Sequence, residues 1–256
     1  MNEKNMSIYA HFGELRKRLI ITVLFFAAFM VLGLYLAKPV IIYLQEDPVA
    51  HRIHMNAFNL TDPLKVYLNF SFIIAFLLTF PVILYQIWAF VSPGLYENER
   101  RVTLSYIPIS FLLFIGGISF SYFVLLPLVV HFMTDMAESL NVQGVYGINE
   151  YFSFLFKLIL PFGLIFQFPV VVLFVTRLGL VTPKFLKKIR KISYFVTFVF
   201  AGLIAPPDLV TQLMITIPLI ILYEISIVIS AVAYKKKLAA EEEAELEEEF
   251  QSMRTE

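Results

Sequence analysis

Six long stretches of this chain are almost free of charge, and that pattern dictates the solvent it can fold in. An α-helix rises 1.5 Å per residue, so about 20 apolar residues cross a hydrocarbon core of about 30 Å. The stretches run from Leu19 to Ala37, Val66 to Val91, Val102 to His131, Tyr151 to Thr176, Ile192 to Ala205 and Leu209 to Tyr234. Apolar residues make up 59% of the chain and charged residues only 16%, where a soluble domain carries about a quarter charged. A water-soluble fold could not bury so much apolar surface. The expectation is an all-α polytopic membrane protein, a six-helix transmembrane bundle with short fifth and sixth spans. The fifth run has fourteen residues before Pro206 and Pro207, so it reaches only part way across or thins the bilayer. The first run is longer than the core of a cleavable signal and no small-residue cleavage site follows it, so it is expected to stay.

Lys and Arg in the short loops set the orientation. Sixteen of the twenty basic residues fall on one side, three (Lys38, Arg52, Lys65) on the other, and Lys157 lies inside the fourth run. Both termini are therefore expected in the cytoplasm. The outer loops would run from Lys38 to Lys65, from Phe132 to Glu150, and through the short turn at Pro206, Pro207 and Asp208. Residues 1–237 read as one six-span domain. Residues 238–256, with eight glutamates after Lys237, read as an acidic cytoplasmic tail, a solvated helix or disordered.

Polar groups at hydrocarbon depth are costly, which makes each a candidate for function. Glu224 lies about fifteen residues into the sixth run, near mid-membrane by the helical rise, either as a functional carboxyl or as a structural one hydrogen-bonded to a neighbouring helix. Gln167 sits between Pro161 and Pro169, two residues that bend helices, and its amide can bond a neighbouring helix or freed carbonyls. Lys157 is near enough to the outer end of its helix to snorkel. Gln212 and Asp208 are interfacial, with Asp208 placed to cap the sixth helix.

Two cytoplasmic segments mix acids with bases: HFGELRKRL, His11 to Leu19, and SPGLYENERR, Ser92 to Arg101. Local ion pairs such as Glu14 with Arg18 or Glu97 with Arg101 would account for them. A receptor for a basic peptide would need carboxylates in the same places, because a guanidinium binds a carboxylate through two parallel hydrogen bonds. An enzyme is not expected: there is no cysteine, no HExxH and no paired aspartate within the runs, so no catalytic residue, metal site or cofactor is assigned. His131, at the outer end of the third run, reads as structural. Balanced charge gives no argument for nucleic acid.

Four motifs in order resemble the TatC family, the multi-spanning receptor subunit of the twin-arginine protein translocase. HFGELRKRL resembles the family's amino-terminal H-L-x-E-L-R-x-R-L. PVILYQIWAFVSPGLYENERR, Pro81 to Arg101, resembles the end of its second span and its first cytoplasmic loop. FGLIFQFPV, Phe162 to Val170, resembles its fourth span, and APPDLVTQLMITIPLIILYEI, Ala205 to Ile225, its last outer turn and sixth span. The resemblance implies that Glu14 and Glu99 receive the arginine pair of a signal peptide, with Arg16, Phe90, Pro93, Leu95, Tyr96 and Arg100 beside them. It also implies a concave, glove-like bundle, a receptor complex holding several copies, TatA-type single-span partners, and export of folded cargo across the cytoplasmic membrane on the proton-motive force. Where the family often carries glutamate in its fourth-span motif this chain has Gln167, so a hydrogen-bonding role carries over and an ionisable one does not. Gln167, Gln212, Asp208 and Glu224 would face partner helices or the bundle interior. The rival reading is a proton-coupled secondary transporter with Glu224 as its proton site.

Overall fold

The computed structural model describes residues 8–47, 55–92, 103–142, 144–204 and 208–255. Nine α-helices account for nearly all of them: α1 (Ile8–Gln45), α2 (Asp62–Val91), α3 (Tyr106–Phe120), α4 (Leu126–Ser139), α5 (Ile148–Ile165), α6 (Phe168–Arg177), α7 (Pro183–Lys188), α8 (Arg190–Ile204) and α9 (Leu209–Thr255). A π-helical turn, Ser121–Leu125, joins α3 to α4. The one pair of strands among the described residues, β1 (Met55–Asn56) and β2 (Tyr146–Gly147), runs parallel and ties the connection after α1 to the connection after α4. Among the described residues, five helical stretches are long and apolar enough to cross a membrane: Phe12–Gln45, Asp62–Val91, Tyr106–Ser139, Ile148–Arg177 and Leu209–Ala239. The chain is a polytopic helical membrane protein.

The structure extends the expected spans in three places. Helix α1 runs on through Pro39 to Gln45, because Val40 to Leu44 continues the apolar pattern past Lys38. The second outer loop is shorter than the stretch from Phe132 to Glu150, being helical up to Ser139 and again from Ile148. The sixth span is not short: its helix runs 47 residues, largely apolar from Leu209 to Tyr234, and continues unbroken past three lysines through the acidic tail. The fifth span is short as expected. Helix α8 has 15 residues, about 22 Å against a core of about 30 Å.

The chain divides into two compact units, 1–161 and 162–256. In the first, α1 and α2 run antiparallel in long contact. Phe26 meets Phe72 with ring centroids 5.1 Å apart, the Tyr67 hydroxyl donates to the Leu34 carbonyl, and Gly33 faces the Ser71 backbone. A Cβ on Gly33 would stand 2.3 Å from the Ser71 carbonyl oxygen, so only glycine lets the helices cross this closely. An aromatic core follows: Phe80 stacks on Phe114 at 3.6 Å, and Phe70 meets Phe152 at 4.9 Å and Phe156 at 4.7 Å. Just past the end of α1, Asp47 accepts from the Tyr122 hydroxyl in the π turn at 2.8 Å.

In the second unit α6 and α8 flank α9. Helix α6 runs parallel to α9, with Phe168 beside Tyr223 at 5.9 Å and a Thr176–Ser230 hydroxyl bond of 2.8 Å. Val172, Leu186, Tyr223 and Ile227 form its buried apolar cluster. Outward-facing side chains are apolar in both units, for example Leu24, Val31, Val196, Ile217 and Val228, as lipid contact requires. Several buried hydroxyls turn back onto their own helix, as in Thr79 to Ala75 O at 2.6 Å and Ser226 to Leu222 O at 2.7 Å.

Replacing Gly33 by alanine is expected to destabilise the α1–α2 pair by about 1–3 kcal/mol, read as a lower unfolding midpoint in detergent. The same change at Gly116, whose Cβ would meet nothing within 4 Å, should not.

Candidate functional site

The carboxylate of Glu14 sits in the second turn of α1 and is held by Arg18 one turn on. The guanidinium reaches Glu14 Oε1 through Nη2 and also through Nε at 3.1 Å. This is the i,i+4 ion pair expected from the sequence. Arg18 also donates from Nη1 to Gln86 Oε1 on α2 at 3.4 Å, so the pair is braced against the neighbouring helix. Because α1 and α2 are antiparallel, Phe90, one turn beyond Gln86, lies at the same end as Glu14. Arg16 and Lys17 are exposed there and Phe90 is half-buried. Glu14 Oε2 accepts no hydrogen bond from a described residue. Pro93, Leu95, Tyr96, Glu99 and Arg100, with the expected Glu97–Arg101 pair, lie outside the described residues. Of the first polar cluster, the structure therefore brings Glu14, Arg16 and Phe90 to one end of a helix pair.

The second cluster is built on α8 and α9. Arg190, the first residue of α8, donates from Nη2 to Glu224 Oε2 at 2.5 Å, and the Tyr194 hydroxyl donates to Glu224 Oε1 at 2.6 Å. Glu224 is therefore a structural carboxyl hydrogen-bonded to a neighbouring helix, one of the two readings its position along the sixth run left open. Residues 177–190 bring its partner into reach. Gly179 lies against the Lys237 side chain, Leu186 accepts a hydrogen bond from the Tyr223 hydroxyl at 2.8 Å, and Arg190 reaches Glu224. The basic segment thus climbs back along α9 by about 20 Å at 1.5 Å per residue and delivers a cation to a depth that counting from the helix ends cannot foresee.

Near the other end of α8, Gln212 donates from Nε2 to the Phe198 carbonyl at 2.9 Å. Gly202 makes room, since a Cβ there would stand 2.7 Å from Gln212 Nε2. Asp208 caps α9 as expected, accepting from the Thr211 backbone N–H at 2.7 Å. Gln167 forms the break between α5 and α6, where Pro169 has no N–H to offer the Ile165 carbonyl; its own carbonyl accepts from Val170 and Val171 at 3.0 Å. Pro161, also expected to bend this span, is contained within α5. Lys157 is exposed. Glu224 and Gln212 thus make internal bonds within the second unit. Gln86, Arg190 and Tyr194 were not singled out from the sequence. Of these, Gln86 alone carried a signal, as an amide inside an apolar run.

A family model described as Sec-independent protein translocase protein (TatC) matches residues 10–218. The chain belongs to the TatC family. It is 60% identical to the Sec-independent protein translocase protein TatCy of Bacillus subtilis, over 92% of this chain and 93% of that one. It is 56% identical to the TatC protein of Halalkalibacterium halodurans over the same shares. A crystal structure of the twin arginine translocase receptor TatC superposes with a TM-score of 0.77 at 35% identity, covering 87% of this chain and 99% of the other. The chain is thus a membrane component of a Sec-independent protein translocase, a transport family whose members act with other Tat subunits.

Single substitutions Glu224→Gln and Arg190→Gln are each expected to destabilise the α8–α9 contact by about 1–3 kcal/mol. The double variant should lose less than the sum, a coupling measurable as a double-mutant cycle in detergent unfolding. Tyr194→Phe should lose about 1 kcal/mol.

Proposed function

We propose that the chain is the signal-peptide receptor and core scaffold of a twin-arginine translocase, exporting folded proteins across the cytoplasmic membrane on the proton-motive force with both termini cytoplasmic. The observation that carries this reading is the Glu14 carboxylate, held by Arg18, which Gln86 braces in turn, at the end of α1–α2, with one oxygen free of described partners and Phe90 at the same end. A carboxylate already pairing with one guanidinium has the stereochemistry to take another. An incoming arginine would share Glu14 with Arg18 or displace it, and the second arginine of the signal would go to Glu99. Arg16, Pro93, Leu95, Tyr96 and Arg100 would line the same mouth, Phe90 offering an apolar face to the residues that follow the arginines.

The name of the structural neighbour supports the receptor role, since that protein is called a twin arginine translocase receptor. TatA-type single-span subunits would dock at Gln167, Gln212 and Asp208, and several copies of the chain would share one receptor complex. The acidic tail after Lys237 would extend from the six-span domain into the cytoplasm. The transporter reading loses its proton site, because both Glu224 oxygens are already bonded by Arg190 and Tyr194.

Charge reversal Glu99→Lys should abolish export of a twin-arginine cargo while the protein remains inserted; unchanged export would sink the receptor assignment. Arg18→Gln removes the internal competitor of Glu14 and should strengthen cross-linking of a signal peptide to α1. Lysines in place of the signal arginines should weaken that cross-linking to α1 and to the segment from Ser92 to Arg101.

A further inference from the structure

Between α6, α8 and α9 the second unit holds an apolar groove of about 300 Å³, lined by Ile165, Phe168, Val196, Phe200, Leu219 and Tyr223 among others. No described contact fills it. A water takes about 30 Å³ in the liquid and a methylene is of similar size, so the groove holds a run of about ten chain carbons. Its floor consists of rings and branched side chains, which suits an alkyl chain and offers almost nothing to a polar ligand.

One end of the groove is formed by Ile192 and Ser193, in the first turn of α8. Lys191 precedes them and is exposed. Helix α7 is tied to the same end through the Tyr223–Leu186 bond, so its exposed Lys187 and Lys188 flank it as well. Those three ammonium groups make no ion pair among the described residues, and the carboxylate at this depth, Glu224, is held by Arg190 and Tyr194. The positive end of the α8 dipole lies there too. An apolar slot with unpaired cations at one end matches a molecule with a hydrocarbon chain and an anionic head. Because α8 is about 8 Å shorter than the hydrocarbon core, lipid headgroups must come inward beside it, which brings a phosphate to these lysines.

We propose that the groove is a binding site for an anionic phospholipid, with one acyl chain along Val196, Phe200 and Leu219 and its phosphate held by Lys187, Lys188 and Lys191. The site involves neither the cargo nor the partner subunits, and its success or failure leaves the receptor reading where it stands.

The full chain in nanodiscs of phosphatidylcholine, doped with phosphatidylglycerol carrying a photoreactive group on one acyl chain, provides the test. Labelling should concentrate on Val196, Phe200 and Leu219 over Ile217 and Ile221, which are exposed on α9 but do not line the groove. Excess unlabelled phosphatidylglycerol should displace the probe and an equal excess of phosphatidylcholine should not. Each of Lys187→Gln, Lys188→Gln and Lys191→Gln should lower labelling about fivefold. Equal displacement by the two lipids, or even labelling along α9, overturns the proposal, and neither measurement depends on a variant folding. Loss of groove labelling on adding a single-span partner, with no headgroup selectivity beforehand, assigns the groove to a partner helix and overturns it as well.

Discussion

Hydrocarbon offers the polypeptide no hydrogen bonds, and every other feature of this chain answers to that. Backbone groups must close on themselves, which leaves long helices as the means of crossing. Side-chain hydroxyls bond carbonyls on their own helix, as Thr22 does to Arg18 and Thr216 to Gln212, or each other, as Thr176 and Ser230 do. Where the ladder has to break, at Phe166 and Gln167, the freed groups are taken up locally: the Gln167 N–H bonds the Leu164 carbonyl, and the Gln167 carbonyl serves two residues of the next helix.

Charge obeys the same constraint. Glu14 and Glu224 are both carboxylates on apolar helices, and each has an arginine. The geometry differs in a way that bears on function. Arg18 comes from the same helix as Glu14 and both of its bonds use one oxygen, a local pairing that another guanidinium can replace without separating helices. Arg190 comes from a different helix and shares Glu224 with Tyr194, so both oxygens are engaged. The first arrangement suits exchange with a visiting cation. The second suits holding α8 to α9.

Much of this was legible in the sequence because lipid makes the pattern coarse. Uninterrupted apolar runs gave the spans, the fourteen residues before Pro206 gave a short fifth helix, and the spacing of Glu14 and Arg18 gave their ion pair. The family that the four motifs resembled is the one the chain belongs to. What was not legible depended on where the chain goes between helices. Helical rise placed Glu224 at mid-membrane, but the rise of α9 says nothing of a basic segment folding back to meet it. Val40 to Leu44 and Phe132 to Ser139 read as loops because Lys38 and His131 seemed to end the spans, whereas long side chains at helix ends reach the headgroups without stopping the helix. The brace from Arg18 to Gln86 needed the antiparallel register of α1 and α2, which no local pattern encodes.

Helix α8 also has a consequence for how the protein is made. With 15 residues beginning at an arginine, it lacks the apolar length to settle across a bilayer alone. Its polar contacts, Phe198 with Gln212 and Arg190 and Tyr194 with Glu224, all lead to α9, and only three residues separate Ile204 from Asp208. The two segments are therefore partners before they are spans. The stable unit of insertion that these contacts define is the α8–α9 hairpin rather than α8 alone.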